Sequence, residues 1–259
     1  MAGPVTQKPG TFGIQPASAG ALAIPVGSPP YWKDTLHWFD FTDQATVFSD
    51  LAGVVPIADG VEIQYVENKG HFGDTPAVEG PPNPDWDESV ALINGLSVAD
   101  SAAVQQPITF TPEGLDISLL GMTFAQVVKA DDNPPAGYFF WNGSGANSFQ
   151  MRINFGAWQP TFNGLGLTTN RSVTLGEWVW LLATWEADGS RFVQASGNSE
   201  EVGAIEAPAI IPDGSTMTLA GLTGDEGETI IWNRALTSLQ RAEVVSYFDT
   251  KYGVLPVGP

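Results

Sequence analysis

Chemistry in this chain would have to begin with carboxylates. Glu226-Gly227-Glu228 sets two acids at i and i+2, the spacing that shares one face of a strand. A retaining glycosidase needs two carboxyl groups about 5–5.5 Å apart, and such a pair is one way to supply them. Here no third acid follows, because positions 230 and 231 are both Ile. Glu226 is expected in the turn before the strand, off that face. The other acidic run, Asp85-Trp86-Asp87-Glu88, follows Pro81, Pro82 and Pro84 and reads as a solvated loop. Nucleophilic chemistry is no better provided. His37 and His71 stand beside Trp38 and Phe72, as core or loop histidines do. Gly143-Ser144-Gly145 lacks the spacing of a Gly-x-Ser-x-Gly elbow, and no phosphate-cradling Gly-Lys-Ser/Thr loop occurs. The expectation is a chain that is not an enzyme.

Binding chemistry has better candidates. A glycan site needs an aromatic platform beside planar hydrogen-bonding side chains. Trp141 with Asn142, and Trp158 before Gln159-Pro160, stand at strand ends or in loops near the polar face of a strand that carries Arg152. Trp141, Asn142, Arg152 and Trp158 are therefore the glycan candidates. Trp180 and Trp185 are assigned to the core. No cofactor is called for, although calcium would suit oxygen-rich loops. The candidate ligands are Asp131 and Asp132, with Asn133 beside them, and Asp213, before Gly214-Ser215; each group is also a good turn.

Composition narrows the partners. The formal charge is −19, from 29 acidic and 10 basic residues. Such a surface repels phosphate backbones and anionic lipid, so no nucleic acid and no membrane are expected. There is no Cys and only two His, which removes disulfides and thiolate metal sites. The first residues carry no basic region ahead of an apolar run, so no signal peptide is read there.

The elements that would position these groups fall into three zones. Residues 1–30 hold six Pro, five Gly and one charged side chain, Lys8. They read as an extended N-terminal arm, with Pro4, Lys8, Pro9, Phe12 and Pro16 as candidate assembly contacts. Residues 31–259 read as one domain of short strands closed by a helix. Phe149 to Phe155 alternates, with Phe149, Met151, Ile153 and Phe155 on one face and Gln150, Arg152 and Asn154 on the other. Trp178 to Trp185 is apolar on both faces, and Met122 to Val128 is a continuous β-rich run. Ala187-Asp188-Gly189-Ser190 is a hairpin turn. Thr237 and Gln240 form a capping box, and Val244, Phe248 and Tyr252 make the apolar stripe of the last helix, with Gly253 after it.

These pieces, in order, resemble the laminin-G-like, concanavalin A-like lectin-glucanase sandwich domains. The resemblance rests on Gly224 to Leu236, on Leu36 to Asp43, on Val66-Glu67-Asn68-Lys69-Gly70-His71, on Asn94-Gly95-Leu96 and on Gly176 to Leu181, and covers residues 32–253. It implies an all-β fold: a jelly-roll β-sandwich of two antiparallel sheets with a short C-terminal helix. Glucanases of that fold carry Glu-x-Asp-x-x-Glu or Glu-x-Asp-x-Glu on one strand, which Glu226 and Glu228 do not complete. Glu228 coincides with a Glu that binding members carry for structure. The resemblance is to domains of tailed-phage virion proteins and bacterial surface proteins. The function expected is thus a virion structural protein, a capsid decoration or cement component tied by its arm to the major capsid protein or neighbouring subunits. It would be assembled in the host cytoplasm and clustered as a homo-oligomer on the particle. The alternative is a glycan-binding adhesin that meets host surface glycans. A polysaccharide-degrading enzyme is the third reading.

Overall fold

The computed structural model describes residues 27–70, 77–78, 84–90, 93–101, 108–110, 115–132, 137–142, 149–162, 165–169, 171–203, 210–211, 217–219 and 223–253. The strands that matter below are β1 (Thr35–Asp40), β2 (Asp85–Val90), β3 (Leu96–Ser101), β4 (Met122–Ala130), β5 (Gly137–Asn142), β6 (Phe149–Asn154), β7 (Ala157–Phe162), β8 (Trp178–Trp185), β9 (Arg191–Ala195) and β10 (Gly224–Trp232). Helix α1 spans Ser238–Tyr252.

They form an antiparallel β-sandwich. One nine-stranded sheet runs Glu201–Gly203, β9, β8, β4, β10, β3, β2, Val61–Glu62, with β1 also paired to β10. The other nine-stranded sheet runs Leu165–Gly166, β7, β6, β5, Met217–Leu219, Ile108–Phe110, Ala77–Val78, Tyr65–Val66, Val47–Phe48. None of the described helices is long and apolar enough to cross a membrane.

Among the described residues, the first sheet is packed on both faces, by the second sheet on one side and by α1 on the other. Phe39, Phe124, Val128, Leu181 and Ile231 point between the sheets and meet Phe149, Met151, Ile153 and Trp158. Trp38, Val127, Trp180, Ile230 and Trp232 point the other way and are roofed by Val244, Phe248 and Tyr252 of α1. Every residue of β4 except Lys129, and all of β8, is consequently buried. That is why these strands read as continuous apolar runs, whereas β6 alternates buried and half-buried. The helix begins as its residues dictate. The Thr237 hydroxyl accepts from the Gln240 N–H and the Gln240 side chain accepts from the Thr237 N–H, satisfying two of the orphan donors.

Two expectations are corrected here. Asp85-Trp86-Asp87-Glu88 is not a loop but the start of β2. Trp86 is buried and donates to the Phe41 carbonyl, while Asp85 and Glu88 face solvent. Long-range pairing with β3 outweighs the turn preference of the acids. Glu226 lies inside β10 and not in a turn. Gly227 is the extra residue of a β-bulge, since Glu226 and Glu228 pair with the consecutive residues Val128 and Val127.

Candidate functional site

Four segments far apart in sequence bring acids, lysines and tyrosines together under α1. Asp40 closes β1, Glu228 follows the β10 bulge, Lys69 comes from the segment after Tyr65–Val66, and Lys251 sits in the last helical turn. Lys251 Nζ is 3.0 Å from Asp40 Oδ1 and 3.2 Å from Glu228 Oε2. Lys69 Nζ is 3.0 Å from Asp40 Oδ2 and 2.9 Å from Asp43 Oδ2, and lies 4.0 Å over the Trp38 ring centre. An open groove of about 570 Å³ borders the cluster between Gly27, Ser28, Asp43, Lys69, Ser246 and Thr250.

Glu228 holds this cluster together. Its Oε1 accepts from Trp38 Nε1 at 2.6 Å and Tyr247 OH at 2.8 Å; its Oε2 accepts from Tyr252 OH at 2.8 Å and from Lys251. Both oxygens are thus occupied and the side chain has no solvent exposure. Burial pushes the Glu228 carboxyl up, and Lys251 offsets only part of that. At Asp40 burial also acts upward, but Lys251 and Lys69 outweigh it and hold the carboxyl below its usual range. Glu226 is equally buried and accepts from the Thr229 hydroxyl at 2.5 Å. Neither member of the Glu226–Glu228 pair meets a substrate surface. Glu228 pins the helix to the sheet, the structural role its sequence context implies.

A second constellation lies on the outer face of the other sheet. The β6–β7 hairpin turns at Phe155-Gly156, so partners are symmetric about those two residues: Asn154 faces Ala157, Ile153 faces Trp158, and Arg152 faces Gln159. Gln159 Oε1 accepts from Arg152 Nε at 3.0 Å, from Arg152 Nη2 at 2.6 Å and from Asn154 Nδ2 at 3.0 Å. Gln159 Nε2 donates to Thr168 Oγ1 at 2.6 Å. Gln159 is buried, Arg152 and Asn154 are half-buried, and Thr168 is exposed. The result is a fixed strip of one guanidinium, two carboxamides and a hydroxyl. In a chain with 29 acids and 10 basic residues, Arg152 has no carboxylate partner among the described residues.

The residues singled out from sequence are dispersed by this fold. Arg152 belongs to the strip. Trp158 does not; it is 1% exposed and packs between the sheets, because the two-residue turn pairs it with inward-facing Ile153. The pairing of Arg152 and Trp158 in one glycan site is corrected accordingly: they occupy opposite faces. Trp141 pairs with Gln150 and Thr218, and Asn142 with Met217; their side chains lie outside what is described. Phe155 is not on the inner face of β6 as the alternation suggested. It sits in the turn and is 97% exposed. Asp131 Oδ2 stands 3.4 Å from Lys129 Nζ, Asp132 is exposed, and Asp213 lies outside the described residues. Among the described residues no three acid or histidine side chains converge as metal ligands. His37 is buried against Phe39 and Phe110, and its Nδ1 meets Asn68 Nδ2 at 2.9 Å. His71 and the arm candidates Pro4, Lys8, Pro9, Phe12 and Pro16 lie outside the described residues.

Sequence reasoning missed Gln159, Thr168 and Phe155. One signal was available. Gly156 after Asn154-Phe155 marks a two-residue turn, and symmetry about it pairs Arg152 with Gln159.

No protein-family model matches the chain, and no curated protein sequence matches it significantly. Solved structures with a similar fold include a Trypanosoma rangeli sialidase in complex with 2,3-difluoro-KDN, at 12% identity and TM-score 0.50, over 84% of this chain and 33% of that one. A heptameric SAP-like pentraxin from Limulus polyphemus aligns at 16% identity and TM-score 0.40, over 53% of this chain and 72% of that one. Domain 4 of AbnA, a GH43 arabinanase from Geobacillus stearothermophilus solved with arabinotriose, aligns at 12% identity and TM-score 0.47, over 85% of this chain and 99% of that one. The chain spans about a third of the sialidase's length, and at 12% identity the likeness is one of fold. It nonetheless corrects one expectation. The expectation of a chain that is not an enzyme does not stand, because a similar fold is carried by chains named as sialidases and the architecture does not count against catalysis.

Proposed function

We propose that this chain is a carbohydrate-binding β-sandwich that takes glycan hydroxyls along the outer face of the β6–β7 hairpin. The observation that carries the reading is the strip made by Arg152, Asn154, Gln159 and Thr168. Guanidinium and carboxamide groups offer polar atoms in flat pairs, which suits hydroxyls on neighbouring ring carbons, and here the buried Gln159 orients the half-buried Arg152 and Asn154 that present them. The strip is already held by its own hydrogen bonds, so little side-chain ordering is required on binding. Arg152 adds a cation that no carboxylate among the described residues neutralises.

The virion decoration reading has less behind it. None of the similar structures described above is linked to a phage, and residues 1–26 of the supposed anchoring arm lie outside the described residues.

The test is a glycan array probed with the folded chain, followed by titration of the hits against Arg152→Ala and Gln159→Ala. Each variant should lose about tenfold or more in affinity, the scale of a charge-assisted or buried hydrogen bond. Hydrolysis of each hit is scored in the same samples, since glycosidase chains carry this fold. A folded chain that binds no glycan on the array defeats the proposal.

A further inference from the structure

Among the described side chains of the hairpin, Phe155 is the one left fully to solvent. It is 97% exposed, and its φ is +50°, followed by Gly156 at +74°. A two-residue turn with both residues at positive φ suits Asn-Gly or Gly-Gly, and a bulky aromatic is strained at its first position. The hydrophobic effect and the backbone both disfavour Phe here, so neither packing nor turn formation accounts for it.

Its surroundings say what would. Phe155 directly follows Asn154, and the polar strip of Arg152, Asn154 and Gln159 runs up the same hairpin toward it. The tip is braced: the Val173 N–H donates to the Gly156 carbonyl at 2.7 Å, and Ala157 bridges to Ser172. A standard protein interface would bury roughly 800 Å² on each partner, far more than one exposed ring supplies. A pyranose instead presents a rim of hydroxyls and a small face of C–H bonds, and so meets both a polar strip and one ring.

We propose that Phe155 is a stacking platform for a pyranose ring, and that the ligand is an oligosaccharide whose terminal sugar shows an unbroken C–H face. The inference rests on the glycan reading of the strip and adds the sugar class and the register of the chain on the hairpin. Hydroxyls of the stacked residue lie toward Asn154, and the next sugar lies along Arg152 and Gln159.

The experiment titrates cellohexaose, xylohexaose, galactohexaose and the array hits into the wild-type chain, Phe155→Asn and Phe155→Trp. The Trp variant should bind at least as well as wild type, and the Asn variant about tenfold more weakly, the upper scale of an aromatic stacking contact. The Asn variant should also melt no lower than wild type, because Asn tolerates the left-handed turn. A structural Phe would show the reverse: lower melting and unchanged affinity. Unchanged affinity in Phe155→Asn overturns the platform and leaves the strip standing. No binding by the folded wild-type chain overturns both. Self-association that Phe155→Asn abolishes would assign the ring to a protein contact and also overturn the platform.

Discussion

Glu228 and Lys251 meet 3.2 Å apart beneath α1, where Glu228 has no exposure to solvent. The pair joins the residue directly after a β-bulge to the last turn of the closing helix. Neither charge is left alone: Asp40 shares the lysine, and Trp38, Tyr247 and Tyr252 fill the remaining acceptor positions of Glu228. Removing the lysine strands the Glu228 carboxylate where no solvent reaches it, and removing the Glu228 charge leaves the largely buried Lys251 with Asp40 alone.

Glu228→Gln should therefore lower unfolding free energy by about 3 kcal/mol, the usual scale for breaking a buried ion pair. Lys251→Met should cost a similar amount, and the double variant much less than the two together. Urea unfolding of the four proteins measures this. Additive losses would mean that the pair is not coupled.

His37 sets an acid limit. Burial lowers its pKa from 6.5 to about 3, because the imidazolium would have to form away from water. A group whose folded pKa is depressed contributes stability above its unfolded pKa and loses it as pH falls. The loss should run from about pH 6.5 toward pH 3 and reach a few kcal/mol. His37→Phe should flatten that part of the pH–stability curve relative to wild type, measured by thermal melts at fixed ionic strength. Parallel curves for the two proteins would refute the assignment.

Trp158 and Arg152 should separate stability from binding. Trp158→Ala opens the space between the sheets and should cost about 3–5 kcal/mol. Arg152→Ala, half-buried on the outer face, should leave stability within about 1 kcal/mol while losing glycan affinity. Calorimetric melting paired with titration distinguishes them. Reversed behaviour would place the binding face on the wrong side of the sheet.

Gly224 and Gly95 both have positive φ, at +143° and +71°. A Cβ at Gly224 would stand 2.0 Å from the Lys129 carbonyl oxygen, whereas one at Gly95 meets nothing within 4 Å. Gly95→Ala should cost about 1 kcal/mol through backbone strain alone. Gly224→Ala should cost clearly more, because β4 and β10 must part to admit it. Equal costs in denaturant titrations would show that the close approach is not tight.

Local rules carried the regular parts of this molecule. Alternation from Phe149 to Phe155 marked one buried face, which holds as far as Ile153, and the β-rich run from Met122 to Val128 and the apolar run from Trp178 to Trp185 marked strands covered twice. The Thr237–Gln240 cap and the Val244, Phe248, Tyr252 stripe gave the helix, and Gly189 at φ +91° gave its hairpin. Each is set by neighbours within a few residues.

Only the tertiary structure decided the rest. Whether Trp158 faces inward depends on the parity fixed by a two-residue turn, and one residue more would have reversed it. Asp85–Val90 is a strand because β3 and Val61–Glu62 lie beside it. Asp40 and Lys251 are 211 positions apart, and nothing in either local sequence announces the other. Periodicity and turn chemistry act through the chain, so they can be read along it. Burial of charge and the pairing of strand faces act through space, and exist only once the sheets have closed.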